Sequence, residues 1–172
     1  MSLTLFFIVE PNKYQFMACY LAASIREYFP QDVQLVGYCP AHLYDDLDPA
    51  AVETLRRLRC EVRSMQTEGV FDPPYPHGNK ILACLEPRDT EYSGFVEKRD
   101  TAYSMFVDSD VLMIRENSIE NLIRPDHVSA SVAGSMHWAP KGLWDAIYAR
   151  FPITLPQERV MLMRDHRGPV VP

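Results

Sequence analysis

The chain lacks the short motifs that mark several common chemistries. It has no CxxC pair. Its four cysteines, Cys19, Cys39, Cys60 and Cys84, stand at least twenty positions apart, which excludes a zinc ribbon or a thioredoxin-like redox pair. His42, His127, His137 and His166 show no HxxxH spacing, there is no GxSxG for a serine hydrolase, and no GxGxxG marks a conventional dinucleotide site. Gly134-Ser135-Met136-His137 brings a hydroxyl close to an imidazole in sequence, but consecutive residues rarely face each other. There is no excess of basic residues either: 17 Lys and Arg stand against 23 Asp and Glu, for a formal net charge of −6. That balance argues against a nucleic-acid partner, since such proteins carry a basic stripe. No run of five like charges forms a tail. The apolar run from Leu3 to Val9 is far too short to span a bilayer. No basic residue precedes it and no small-residue cleavage site follows, so neither a membrane span nor a signal is expected.

What is present reads as one compact domain over 1–172. With 47% hydrophobic and 11% aromatic residues, the chain can bury a core and is not disordered. Each cysteine lies in or beside an apolar segment, as buried free thiols do, and a reducing, cytoplasmic location is expected. The run from Leu3 to Val9 reads as a parallel strand buried on both faces. Met17, Leu21, Ile25 and Tyr28 recur at helical spacing until Phe29-Pro30 stops the helix. Val33 to Tyr38 is a second strand. Asp48 before Pro49 is an N-cap with proline at the first helical position, and Val52, Leu55 and Leu58 form the buried stripe of that helix. Cys60 to Met65 is a third strand. This alternation makes a mainly parallel α/β sheet flanked by helices the expected class.

Further along, a Pro- and Gly-rich loop leads to a short helix over 80–85, and 87–100 reads as an exposed connection. Tyr103 to Val107 is the next buried strand, Val111 to Ile114 continues apolar, and Ile119 to Ile123 makes one helical turn. Val128 to Ala133 is expected as a strand, and Leu143, Trp144, Ile147 and Phe151 mark a helix ended by Pro152. Residues 152–172 form an irregular segment with no clear period.

Three constellations could carry chemistry. Asp108-Ser109-Asp110 follows a strand directly, at the carboxyl end where α/β sheets place ligand sites. Its carboxylate oxygens suit a divalent cation, although a polar strand end capping a turn explains them equally. With twelve aspartates, about one DxD is expected by chance. Indeed a second, Asp46-Leu47-Asp48, is explained by capping the helix at Pro49. His77-Gly78-Asn79-Lys80 opens a helix with a lysine and free N–H groups, which suits a phosphate, and also fits a solvated lysine beside a glycine turn. Glu10-Pro11-Asn12-Lys13-Tyr14 joins the first strand to the first helix, where a doubly wound fold meets a nucleotide. A plain turn is the other reading. Arg164, His166 and Arg167 form a small basic cluster near the end, read as a solvated tail.

Taken together, Phe7 to Tyr14, then His77-Gly78-Asn79-Lys80-Ile81, then Phe106-Val107-Asp108-Ser109-Asp110, with the short helix Ile119 to Ile123 behind them, resemble the nucleotide-diphospho-sugar transferases of Rossmann-like GT-A fold. Within these, they resemble the glycogenin-like glycosyltransferases. The resemblance implies a hexosyltransferase in which Asp108 and Asp110 hold Mn²⁺ or Mg²⁺ on the diphosphate of a sugar donor, with a UDP-sugar the leading expectation. By the same likeness Ser109 contacts the ribose or metal shell, Lys80 lies near the donor sugar and phosphates, and Tyr14 and Glu10 lie near the base. The family pattern continues into a further strand and an acceptor-binding region. The present sequence stops at Pro172, so the C-terminal part of the fold is expected to be missing. No catalytic residue and no acceptor are assigned, and an exposed core edge predicts self-association. Two alternatives stand beside this reading: a non-catalytic or truncated donor-binding module, and a haloacid-dehalogenase-like phosphatase using Asp108 as nucleophile.

Overall fold

The computed structural model describes residues 3–29, 33–71, 77–86 and 103–123, with isolated positions 145, 148, 149 and 154. Residues 1–125 form one compact unit and 126–172 a second. The first contains strands β1 (Leu3–Ile8), β2 (Gln34–Pro40), β3 (Cys60–Met65) and β4 (Tyr103–Phe106). Its helices are α1 (Lys13–Tyr28), α2 (Pro49–Arg57), α3 (Gly78–Leu85) and the single turn α4 (Ile119–Leu122). The strands form one parallel sheet in the order β3-β2-β1-β4. This is the Rossmann-like α/β arrangement expected from the sequence.

The two faces of the sheet follow from strand periodicity. On β1, Leu3, Leu5 and Phe7 join Ala18, Leu21, Ala22 and Ile25 of α1 and Leu55 of α2 in one core. Phe6 turns the other way, packing with Val36, Tyr38, Met65 and Ala83 of α3. Helices therefore cover both faces, and a strand apolar at successive positions is the sequence mark of that environment. Each fully buried Leu or Phe here contributes roughly 1.5–3 kcal/mol. Thr4 is the polar exception on β1, and its hydroxyl donates to Gln34 Oε1 at 3.0 Å. Gly37 on β2 has no room for a side chain: a Cβ there would lie 2.5 Å from Val9 Cγ2.

Local signals account for the helix boundaries. Asp48 Oδ1 accepts from the Ala50 N–H at 2.8 Å, with Pro49 at the first helical position. Arg26, in the last turn of α1, donates to the carbonyls of Val33, Leu58 and Arg59 at 2.8, 2.8 and 3.0 Å. One guanidinium thus joins the end of α1, the start of β2 and the turn into β3.

Three expectations are corrected, and one apolar run proves exposed. β4 is only half-buried and its Ser104 is exposed, because among the described strands it pairs with β1 alone. Val52 and Leu58 of the α2 stripe are half-buried, leaving Leu55 as its fully buried member. Val111, Leu112 and Ile114 are exposed: after β4 the chain leaves the sheet and follows α1, where the Met113 N–H donates to Ser24 Oγ and the Asn117 N–H to the Tyr28 carbonyl. Cys84 is exposed on α3, whereas Cys39 and Cys60 are buried and Cys19 is intermediate. Among the described residues no helix is long and apolar enough to cross a membrane. The expected connection at 87–100, the strand at 128–133 and most of 152–172 lie outside the described residues. Of the expected helix around Trp144, Asp145 and Tyr148 are helical, and the Ala149 N–H donates to the Asp145 carbonyl at 2.9 Å.

Candidate functional site

The strand order places the site. From β1 the chain steps outward to β2 and β3, then returns to the opposite side of β1 as β4. The loops leaving β1 and β4 diverge at this reversal, and open α/β sheets bind ligands in the crevice so formed, outside the carboxyl ends of the strands. Glu10 leaves β1 and Asp108 leaves β4 at that crevice. The ladders carry both strands slightly past their formal ends: the Val9 N–H donates to the Tyr38 carbonyl and the Val107 N–H to the Phe6 carbonyl, each at 2.9 Å. The two carboxylates are therefore set by backbone held on the sheet.

The first turn of α3 joins them. Asn79 Nδ2 donates to Glu10 Oε1 at 2.7 Å. Its neighbour Lys80 donates through Nζ to Asp108 Oδ1, forming an ion pair in which both side chains are about half exposed. The ammonium also stands 5.9 Å from the centre of the Phe106 ring. Two consecutive residues thus reach the ends of β1 and β4. Gly78 allows this helix to start where it does, since a Cβ on it would come within 2.6 Å of the Phe71 ring.

Ser109 and Asp110 lie in the turn after Asp108, which the Val111 N–H closes by donating to the Asp108 carbonyl at 3.3 Å. Asp110 is exposed and Ser109 half-buried. Among the described residues no group of three His, Cys, Asp or Glu side chains is arranged to hold a metal ion. Carboxylate oxygens on one turn are nevertheless the hard donors that Mg²⁺ and Mn²⁺ take, and such ions commonly use one or two protein carboxylates with phosphate oxygens. Asp108 and Asp110 fit that donor set.

On the other side of Glu10 an open cleft of about 630 Å³ runs along the β1–α1 loop, lined in part by Tyr14, Phe16, Leu43 and Asp46. Tyr14 is 42% exposed there, with the Lys13 ammonium 5.1 Å from its ring centre. Glu10 belongs to both groups: it lines this cleft and holds Asn79. Asp46, which the sequence suggested only as part of a helix cap, stands on the rim at the end of the 3-10 helix Ala41–Asp46. The buried Gln15 fixes that segment, its Oε1 accepting from the Asp48 N–H at 2.7 Å. Burial, then the nearby charges of Glu10 and Asp46, push the Cys39 thiol up to about 11. In the wall of the cleft Asn12 adopts φ 65° and ψ −136°, a backbone conformation that L residues rarely take.

Sequence reasoning missed Asn79, Asn12 and Asp46. Asn79 stood inside a quoted motif, but only its lysine and glycine carry a recognisable phosphate-binding pattern.

Fold and site together define an α/β protein of Rossmann-like arrangement whose polar groups converge at the switch point. The chain belongs to the Rhodobacterales glycosyltransferase domain family, whose model matches residues 5–172. No curated protein and no solved structure matches it.

Proposed function

We propose that the chain binds a nucleotide-diphosphate sugar, with a UDP-sugar as the leading candidate, at the carboxyl ends of β1 and β4. In this reading it transfers the sugar as a GT-A-type, glycogenin-like hexosyltransferase. One observation carries the proposal: Asn79 and Lys80, adjacent in the first turn of α3, reach carboxylates on either side of the topological switch point. That convergence supplies a positive charge, helix N–H groups and carboxylates within one crevice, the complement of a metal-bound diphosphate.

Asp108 and Asp110 would hold Mn²⁺ or Mg²⁺, which when bound neutralises charge on the leaving diphosphate. Lys80 brings its ammonium to the phosphate oxygens, where charge grows as the glycosidic bond breaks. Ser109, between the aspartates, offers a hydroxyl to the ribose. Tyr14 supplies an aromatic face and Glu10 a carboxylate on the base side, in the cleft they share. A cytoplasmic location belongs to the same proposal and accords with four cysteines that form no disulfide among the described residues.

Calorimetric titration tests this. UDP-glucose and GDP-mannose are added to the wild type and to the Asp108→Asn/Asp110→Asn variant, with and without Mn²⁺. Binding that requires both the metal and the aspartates supports the reading; absence of binding, or binding indifferent to the aspartates, overturns it. Mg²⁺-dependent phosphate release lost in Asp108→Asn, with no need for a nucleotide, would instead establish the phosphatase alternative. The family match favours transfer.

A further inference from the structure

The proposed cation ligand Asp108 already has a cationic partner. Lys80 Nζ donates to Asp108 Oδ1, so an ammonium covers one of the oxygens a divalent ion would use. Both side chains are about half exposed, at 43% and 46%. Solvent screens such a pair and makes it worth little, so it exchanges readily. The lysine can also leave without taking its helix with it. The turn is anchored independently by Asn79 on Glu10 at 2.7 Å and by the Lys80 N–H on the His77 carbonyl at 3.2 Å. A flexible four-carbon stem carries the ammonium, which acts as a point charge and needs no fixed fork geometry.

We infer that Lys80 is an exchangeable counter-ion of Asp108: it competes with a divalent cation for that carboxylate and moves to the phosphates of a nucleoside diphosphate, so that metal and nucleotide each tighten the binding of the other. This rests on the cation and donor site proposed above. Metal on Asp108 releases the ammonium for phosphate, and phosphate draws the ammonium off Asp108. By linkage the two effects are equal in size. Removing the positive charge therefore moves two affinities in opposite directions, which an ordinary phosphate-binding lysine would not do. Such a lysine would leave binding of metal alone unchanged.

Mn²⁺ alone, then UDP at saturating Mn²⁺, is titrated calorimetrically into the wild type, Lys80→Met and Lys80→Arg, with circular dichroism confirming that each is folded. Lys80→Met is expected to bind Mn²⁺ alone a few-fold more tightly and UDP a few-fold more weakly, a size set by one solvent-screened ion pair. Lys80→Arg keeps the charge, and its affinity for Mn²⁺ alone should stay near that of the wild type. Binding of Mn²⁺ alone that is unchanged or weakened in Lys80→Met overturns the inference, while Asp108-dependent binding of UDP with Mn²⁺ in the wild type leaves the proposed function standing. If the wild type binds neither Mn²⁺ nor UDP, the proposed function falls and the inference falls with it.

Discussion

Asn79 and Glu10, 69 residues apart in sequence, share a 2.7 Å hydrogen bond that ties the start of α3 to the loop leaving β1. A neutral amide here meets an ionised acceptor, and charge-assisted bonds of this kind are stronger than neutral ones. Both residues are half-buried. The bond fixes one end of α3 against the sheet while Lys80, one position on, engages the other strand end.

Replacing Asn79 with Ala should lower stability by about 1–2 kcal/mol, since a hydrogen bond to a charged group is lost. A double-mutant cycle with Glu10→Ala, which removes the acceptor, followed by urea denaturation, separates that bond from other effects of each change. Additive effects of the two substitutions would mean that the bond contributes nothing in solution.

Gly78→Ala sets two effects against each other. Alanine favours a helix over glycine by up to about 1 kcal/mol. The new methyl, however, would lie 2.6 and 2.7 Å from two carbons of the Phe71 ring. Overpacking of this kind costs about 1–3 kcal/mol, so the net effect should be destabilising. In a Phe71→Ala background the same Gly78→Ala change should become neutral or stabilising. Denaturation midpoints of the four proteins decide the point.

Much of the fold could be read from local patterns. The unbroken apolar run of β1 identified a strand buried on both faces, and Asp48-Pro49 located the start of α2 to the residue. Cys60 to Met65 was expected as a strand with the bounds observed. Exposure was harder to read, because an apolar run does not reveal how many neighbours it has. Tyr103 to Phe106 carries the composition of a buried strand yet pairs with β1 alone among the described strands, and Val111, Leu112 and Ile114 are exposed. At the candidate site, Glu10, Lys80 and Asp108 lay at strand ends and a helix start that sequence can locate. Their linkage through Asn79 was not legible, because a single side-chain bond across 69 residues leaves no periodic or local trace. Asp46 shows a further limit: a carboxylate next to a capping residue reads as part of the cap until the fold places it on a cleft.

Arg26 should prove more important than its half-buried position suggests. Its guanidinium serves the carbonyl of Val33, just before β2, and those of Leu58 and Arg59 in the turn into β3. Arg26→Ala removes those three bonds and should cost about 2–4 kcal/mol. Arg26→Lys should recover only a minor part, because a single ammonium cannot reproduce the planar fork. Thermal denaturation of the pair measures this. A lysine variant as stable as the wild type would show that charge alone suffices there.

The buried thiols give the fold an alkaline limit. Burial pushes Cys60 up to about 12 and, with help from the charges of Glu10 and Asp46, Cys39 up to about 11, from an ordinary value of 9.0. Folding favours the neutral thiol, so its full contribution is present below pH 9, where the unfolded chain also keeps its proton. Above pH 9 the unfolded chain ionises first, and stability should fall by up to about 1.4 kcal/mol per pH unit for each thiol until the folded values are passed. Urea midpoints at pH 8, 9 and 10 should therefore decline. At pH 8 the exposed Cys84 should react with a thiol reagent while Cys39 and Cys60 react only on unfolding. Rapid labelling of either buried thiol in the native protein would contradict this packing.

Asn12 offers a test of whether the cleft holds backbone strain for a purpose. Its φ of 65° and ψ of −136° fall where a Cβ is unfavourable and glycine is not, a strain of about 1–3 kcal/mol. Asn12→Gly removes that strain but also frees the unfolded chain, which gains conformations that folding must then surrender. The two partly cancel, so stability should rise by roughly 1 kcal/mol or less, with an unchanged urea m-value. Binding should respond in the opposite sense. The loop from Glu10 to Tyr14 lines the cleft, and a glycine at its centre lets that loop sample more states when nothing is bound. Nucleotide affinity measured with Mn²⁺ should therefore fall a few-fold even as the protein becomes harder to unfold, because the extra loop entropy must be lost on binding. A variant that gains stability and keeps full affinity would show that the strain at Asn12 merely connects β1 to α1. If stability falls instead, the Asn12 side chain itself contributes more to the fold than its backbone conformation costs.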